Sequence, residues 1–365
     1  MTNPCNLRDM RKRAGINQTE LAQRLGIDTS LVSRWEKGER QPSAQQLQDF
    51  ARAVGVTLDF LLNSEIQPQF KLRAGSTSND TEENQVKQTL LDAEQELYYV
   101  QSAYKMADKP LKPYGLKFDL AAFSDLDMPD FIQELRGLLK LNRFVTLDEL
   151  KQALADSHIH IFEWAMPRVV SGLSYRGVFT AIFINSNHSR QRRLFTLAHE
   201  LGHVLFHLGR DQQQTFVSLF SSNRDPAEKQ ANAFASELLM PDQLVNDLIP
   251  GTKHRLQESA GLESFARLFN VSRDAMFYRL ASKGFYHWTD KKRFFTEVST
   301  EPMPVSPRVT EIDAQLSPLF AQVALELYDT DRVSAGKLTD WVFSGRLTVE
   351  NYLSARFNEV ESLIA

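Results

Sequence analysis

The chain has 365 residues, of which 42% are hydrophobic, 24% charged and 10% aromatic, with a formal net charge of −4; this is ordinary for a soluble protein and leaves room for two or three domains. No apolar run approaches the length that spans a bilayer, and the basic start MTNPCNLRDMRKRAG is followed by no apolar run, so neither a membrane protein nor a secretory signal is expected. The single cysteine, Cys5, excludes an intramolecular disulfide and a cysteine-rich zinc knuckle, and the cytoplasm is the expected location.

Residues 1–62 form the first expected domain. From residue 7 onward they read as five short helices with their punctuation in place. Gly15 ends the first, Asn17 with Glu20 caps the second, and Gly26 ends it. Asp28 caps the third, which stops at Gly38; Ser43 with Gln46 makes a capping box for the fourth, and Thr57 opens a short fifth. Leu21, Ala22, Val32, Trp35, Phe50 and Phe60 are among the expected core residues. Residues 1–40 carry eight Lys/Arg against five Asp/Glu, an excess that suits a DNA-facing surface but is also ordinary on a helical bundle.

Within this domain NQTELAQRLGIDTSLVSRWEKGERQPS has the layout of a helix-turn-helix. Ala22 lets two helices approach and Gly26 supplies the turn. Val32 and Trp35 face inward, which leaves Thr29, Ser30, Ser33 and Arg34 outward, where they suit base edges in a major groove. Gln18 is placed to anchor a phosphate, and Lys37 and Arg40 add phosphate contacts. The same residues closely resemble the XRE family, the helix-turn-helix of phage lambda-type repressors. The resemblance covers residues 7–62 and implies a five-helix, lambda-repressor-like domain that binds double-stranded operator DNA. Asp28 departs from the family pattern, where a serine able to reach a phosphate is commoner; a carboxylate there serves as a cap.

Residues 63–128 are expected to be a linker and a connecting helix. The polar stretch 63–85 reads as linker. It is followed by about 25 residues with Leu90, Leu91, Leu97, Val100, Ala103 and Met106 at roughly helical spacing, either a dimer helix in a homodimer or a plain connector. Residues 129–285 alternate helix, strand and helix: Pro129–Leu141 and Leu147–Asp156 helical, HIHIFEWAM and GVFTAIFIN as strands, and Gln191–His207 and Pro226–Met240 helical. Residues 259–283 loosely echo the helix-turn-helix rhythm of the N-terminus. Residues 286–365 are a mostly helical tail in which we find no chemistry. The fold class expected for the whole is mainly α with a small sheet, α+β.

The chemistry sits in FTLAHELGHVLFH. On a helix, His199 and His203 lie one turn apart on one face and can reach one zinc ion (Zn2+), while Glu200 can accept a proton from water bound to it. A metzincin continuation is excluded, because Phe206 and Gly209 stand where that class needs a glycine and a third histidine. His207 lies one turn too far and reads as a helix-end or supporting residue. A third ligand is needed, and the better candidate is Glu228 in DPAEKQANAFASELLMP, with Asn232 on the same face to hold a ligand histidine. Against this, Asp225, Pro226 and Glu228 also fit a capping box, and Asp225 and Glu237 compete as ligands.

RRLFTLAHELGHVLFH, EKQANAFASELLMP and ARLFNVSRDAMFYRL resemble the ImmA/IrrE family of zinc metallopeptidases over about residues 129–285. The resemblance implies a compact gluzincin-like fold in which His199, His203 and Glu228 bind zinc and Glu200 is the general base. It places an extended peptide on an edge strand, Gly177–Asn185. It also implies a protein substrate, a repressor-type protein or the chain itself with linker 63–85 as target, cut to relieve repression. The oxyanion partner stays open among Tyr175, Tyr278 and Arg279. The rival reading is a non-catalytic XRE repressor or antitoxin whose metallopeptidase-like domain senses or docks a partner, such as a toxin encoded next door.

Overall fold

The computed structural model of the chain describes residues 4–63, 70, 79–112, 128–209, 214–219, 225–296 and 317–343. Most of linker 63–85, with its expected cleavage target, and much of the tail lie outside the described residues. Those described are mainly helical with four short strands, an α+β fold, and none of their helices is long and apolar enough to cross a membrane. Contacts divide the chain into two compact units. One contains Met1–Leu111, Gln213–Ser221 and Leu319–Ala365; the other contains Lys112–Gln212 and Ser222–Pro318.

The first unit opens with α1 (Pro4–Arg13), α2 (Gln18–Leu25), α3 (Thr29–Lys37), α4 (Ala44–Val54) and α5 (Leu58–Leu62). Their starts follow the capping residues in the sequence. Asn17 accepts from the Glu20 amide, Asp28 from Ser30, Ser43 and Gln46 close a reciprocal box, and Thr57 accepts from Phe60. Gly26 adopts φ +65°, a left-handed turn open to glycine at little cost, which brings the Ile27 amide to the Ala22 carbonyl at 3.0 Å and sets α3 across α2. Leu21, Val32, Trp35, Phe50 and Phe60 are buried at the centre. Beneath them Arg11 forks onto Glu36 (Nε to Oε1 2.6 Å, Nη2 to Oε2 2.9 Å) and donates to the Ile16 carbonyl at 2.7 Å.

α6 (Asp80–Met106) follows in the same unit. It packs on the five-helix head: Leu91 joins the head's core cluster and Tyr98 lies against it. The unit also holds β4 (Gln214–Leu219), α16 (Ala335–Phe343) and almost all of α15 (Pro318–Asp329).

In the second unit, α7 (Met128–Leu138) and α8 (Leu147–Asp156) precede β1 (Ile159–Trp164), β2 (Val170–Arg176) and β3 (Thr180–Asn185). β3 pairs in parallel with β1, Ile159 opposite Thr180, and antiparallel with β2, Gly172 opposite Ile184. This corrects one expectation: Gly177–Asn185 is not an edge strand. Both rows of its backbone groups are already used, so no peptide can add to it, and its apolar run reflects full burial.

α9 (Arg190–Phe206) crosses β2, and α10 (Pro226–Leu239) packs along α9. The two helices meet at Gly202, where an added Cβ would lie 2.9 Å from the Phe234 ring and 3.3 Å from the Ala231 Cα. α11 (Asp242–Thr252), α12 (Ser259–Leu268), α13 (Arg273–Ser282) and α14 (Lys291–Thr296) complete the unit. The loose echo noted for residues 259–283 is a backbone likeness to α2 and α3. Asn270 takes φ +56° where α2 ends in Gly26, and the Val271 amide reaches the Ala266 carbonyl at 3.1 Å.

Candidate metal centre

α9 presents His199 and His203 one turn apart, and α10, held close by the missing side chain at Gly202, brings Glu228 to them. His199 Nε2 lies 3.0 Å from His203 Nε2 and 3.0 Å from Glu228 Oε2; His203 Nε2 lies 3.7 Å from that oxygen. Zinc bonds of 2.0–2.1 Å at tetrahedral angles would space their ligand atoms by about 3.3 Å, so the three edges bracket the size needed. All three residues are buried, and they are the group among the described residues able to hold a metal ion. Glu228 Oε1 is buried with no hydrogen-bond partner, an orphan that costs free energy unless a cation or donor meets it.

The capping alternative for Glu228 is not what the fold uses: Asp225 caps α10 by accepting from the Ala227 amide. The two competing acids are engaged elsewhere. Asp225 holds the helix start, and Glu237 accepts from Arg279 and from the Asp242 amide.

Each imidazole is oriented from behind. Asn232 Oδ1 lies 3.0 Å from His199 Nδ1, so an N–H there leaves Nε2 as the free lone pair. His207 caps the end of α9; its Nδ1 lies 2.9 Å from His203 Nδ1 and its Nε2 3.1 Å from Gln230 Oε1. Sequence reasoning missed Gln230, whose one signal is its place between Glu228 and Asn232 on α10.

Electrostatics fit the same arrangement. Burial alone would raise the Glu228 carboxyl, but hydrogen bonds and charge from His199 and His203 outweigh it and hold the group at about 2. Burial pushes His203 down to about 4. His199 is likewise opposed by burial, yet Glu228, Glu200 and Asn232 together raise it. The ionised Glu228 and the neutral His203 suit a divalent ion, whereas the raised His199 has to give up its proton to bind one.

Glu200 points to β2 and is fully buried. The Ser174 hydroxyl donates to its carboxylate Oε2 and also reaches the Glu200 carbonyl at 3.3 Å. Gly172, on the same strand face, makes the room: a Cβ there would lie 2.6 Å from Glu200 Oε1. Arg176, two residues further, donates to the Val204 and Leu208 carbonyls at the end of α9, both at 2.9 Å. Gly172, Ser174 and Arg176 were absent from the sequence reading, because β2 itself was.

The structure does not bring the three oxyanion candidates to this face. Tyr175 alternates to the side of β2 opposite Ser174 and packs on Phe179. Tyr278 is 46% exposed against Trp288 and Lys291. Arg279 is bound to Glu237, Asp242 and the Met240 carbonyl.

On α3, Ser30, Arg34 and Lys37 are exposed, as is Arg40 just beyond, while Thr29 and Ser33 are half-buried. Gln18 donates from Nε2 to Glu36 Oε2 at 2.8 Å, which ties its side-chain amide to the Arg11–Glu36 pair and leaves its backbone N–H at the start of α2. Asp28 caps α3, its carboxyl lowered by the hydrogen bonds from Ser30.

Known proteins resemble the chain in two places. Residues 156–281 match the family described as IrrE N-terminal-like domain, and residues 7–61 the family described as Helix-turn-helix. The chain is 33% identical over 103 residues to "Metallopeptidase ImmA" of Bacillus subtilis (strain 168), covering 28% of this chain and 56% of that protein. It is 33% identical over 94 residues to "Uncharacterized immunity region protein 2" of Bacillus phage phi105, 24% of this chain and 56% of the relative. A third, "Uncharacterized HTH-type transcriptional regulator YqaE" of Bacillus subtilis (strain 168), is 32% identical over 78 residues, 21% of this chain and 67% of its own length. The chain thus spans just over half the length of the first two relatives.

Proposed function

Because the chain belongs to the XRE-type helix-turn-helix proteins and carries a domain of the IrrE N-terminal-like family, we propose that it is a DNA-binding transcriptional regulator with a zinc-dependent endopeptidase unit that cuts a repressor-type protein and so relieves repression. Binding to operator DNA would place it in the cytoplasm. The observation that carries the peptidase reading is the meeting of His199, His203 and Glu228 from two helices, with Glu200 buried beside them.

Bound there, zinc would polarise a peptide carbonyl and lower the pKa of a water molecule. The chain's own residues supply the rest. Glu200 takes a proton at its carboxylate from the attacking water and returns it to the leaving nitrogen. Ser174 and Gly172 fix that carboxylate, and Asn232 and His207 fix the two imidazoles. In the head, Thr29, Ser30, Ser33 and Arg34 address base edges, Lys37 and Arg40 phosphates, and Gln18 a phosphate through its backbone.

The test is metal content followed by one substitution. Purified protein should contain about one zinc per chain by elemental analysis, as expected of a His–His–Glu ligand set; metal-free protein that takes up none on dialysis against zinc would sink the reading. Glu200→Gln should keep the metal and abolish cleavage of a co-expressed repressor. If Glu200→Gln leaves operator control and its release unchanged, the non-catalytic docking reading replaces this one.

A further inference from the structure

α6 is bound to the head at several separate points. A Cβ on Gly15 would lie 2.7 Å from Asn84 Oδ1, and one on Gly55 2.7 Å from Gln88 Nε2, so α6 lies directly against the turns that end α1 and α4. Gln95 accepts from the Thr57 amide at 2.8 Å, Tyr99 donates to the Thr57 hydroxyl at 2.9 Å, and Arg13 pairs with Glu94.

The far end of the chain then returns to this helix and to the head itself. Tyr104 donates to the Leu319 carbonyl at 3.4 Å, Lys109 pairs with Glu326, and Arg332 meets Asp108 at 3.0 Å. Lys337, on α16, meets Asp59, on α5 of the head, at 2.5 Å. Ion pairs this exposed contribute little each. The weight lies in Phe320, Leu338 and Trp341, all fully buried in helices that group with the head.

We infer that residues 319–343 are a structural part of the DNA-binding unit, so that no single cut in the segments that leave it frees it. A cut between residues 63 and 79 leaves the head docked on α6. A cut between the described segments ending at 112 and starting at 128 leaves it held through α15 and α16; one between those ending at 296 and starting at 317 leaves it joined through the chain after α6, with α15 and α16 still docked on it. The docking does not rest on the peptidase reading above, and its tests need no catalysis.

Hydrogen exchange on the full-length chain reads the docking directly. Trp341→Ala should speed exchange at least about tenfold in α5 and the second half of α6, with α9 and α10 unchanged, because local protection tracks local packing. Lys337→Glu, a charge reversal at a half-exposed position, should speed α5 about twofold, and adding Asp59→Lys should restore it. Unchanged exchange in α5 and α6 in both single variants overturns the proposal. So does exchange spread evenly over α5, α6, α9 and α10 in Trp341→Ala if the charge swap also fails to restore α5. Independently, a site-specific protease sequence placed at residues 71–76 should give, after cutting, one peak on size exclusion that contains both pieces. Elution of the piece carrying residues 4–63 on its own overturns it.

Discussion

Two buried polar clusters, one in each unit, contrast in a single respect. In the head, Arg11, Glu36, Gln18 and the Ile16 carbonyl form a closed set: both Glu36 oxygens accept, and the Arg11 fork donates to fixed partners. In the second unit, His199, His203 and Glu228 aim three electron-pair donors at one point and leave Glu228 Oε1 without a partner. A buried cluster that balances its own donors and acceptors is scaffold; one whose acceptors converge on a point is a binding site. Composition alone does not separate them, since each mixes a carboxylate with nitrogenous side chains.

The contrast can be broken most directly at the open cluster. His203→Ala removes one of three ligands, and metal content should drop from about one ion per chain to below about a tenth, read by elemental analysis beside wild type; retained stoichiometric metal would make the cluster scaffold after all. At the closed cluster, Glu36→Ala strands Arg11 and should cost the head about 3–5 kcal/mol, read as faster amide exchange over α1–α5 with metal content untouched.

A second closed pair sharpens the comparison inside the metal-bearing unit. His160 is buried with its Nδ1 3.0 Å from the Ser317 hydroxyl, and burial pushes it from 6.5 down to about 3. The unfolded chain therefore binds this proton between pH 6.5 and about 3 while the folded one does not, so stability is lost as pH falls through that window and is flat above it. Unfolding free energy should drop by about 2 kcal/mol from pH 7.5 to 5 through this residue. His160→Gln should flatten that slope in urea titrations; an unaltered slope assigns the acid sensitivity elsewhere. The smallest effect concerns orientation: Asn232→Ala should weaken zinc binding about tenfold, measured by competition with a chelator, without changing the ligand set.

How much of this could be read in the sequence follows from where each signal is stored. The head was legible because its caps, turn glycines and inward residues lie within a few positions of one another. The metal ligands on α9 were legible for the same reason, four residues apart on one helix. Glu228 stayed in competition with a capping box until the fold showed Asp225 doing the capping alone. β2 was hidden because its face toward α9 carries Gly172, Ser174 and Arg176 rather than apolar residues; that face accommodates Glu200 and the end of α9, so VSGLSYR alternates over only four residues and lacks the apolar run that marks β3. β3 was expected at an edge from the family resemblance, and its own apolar run could not correct that, because such a run reports burial and not neighbours. The docking of α15 and α16 links residues more than 200 positions apart, a distance at which no local pattern survives.

Gly202 has no functional group, yet it sets the gap between α9 and α10 from its place just before His203. Any larger residue there would wedge against Ala231 and Phe234 and carry the Glu228 oxygen outward from both imidazoles. The bite of the ligand set, and with it the radius of ion that fits, is thus tuned by an atom that is missing. Selection for a different metal could act there without touching a single ligand.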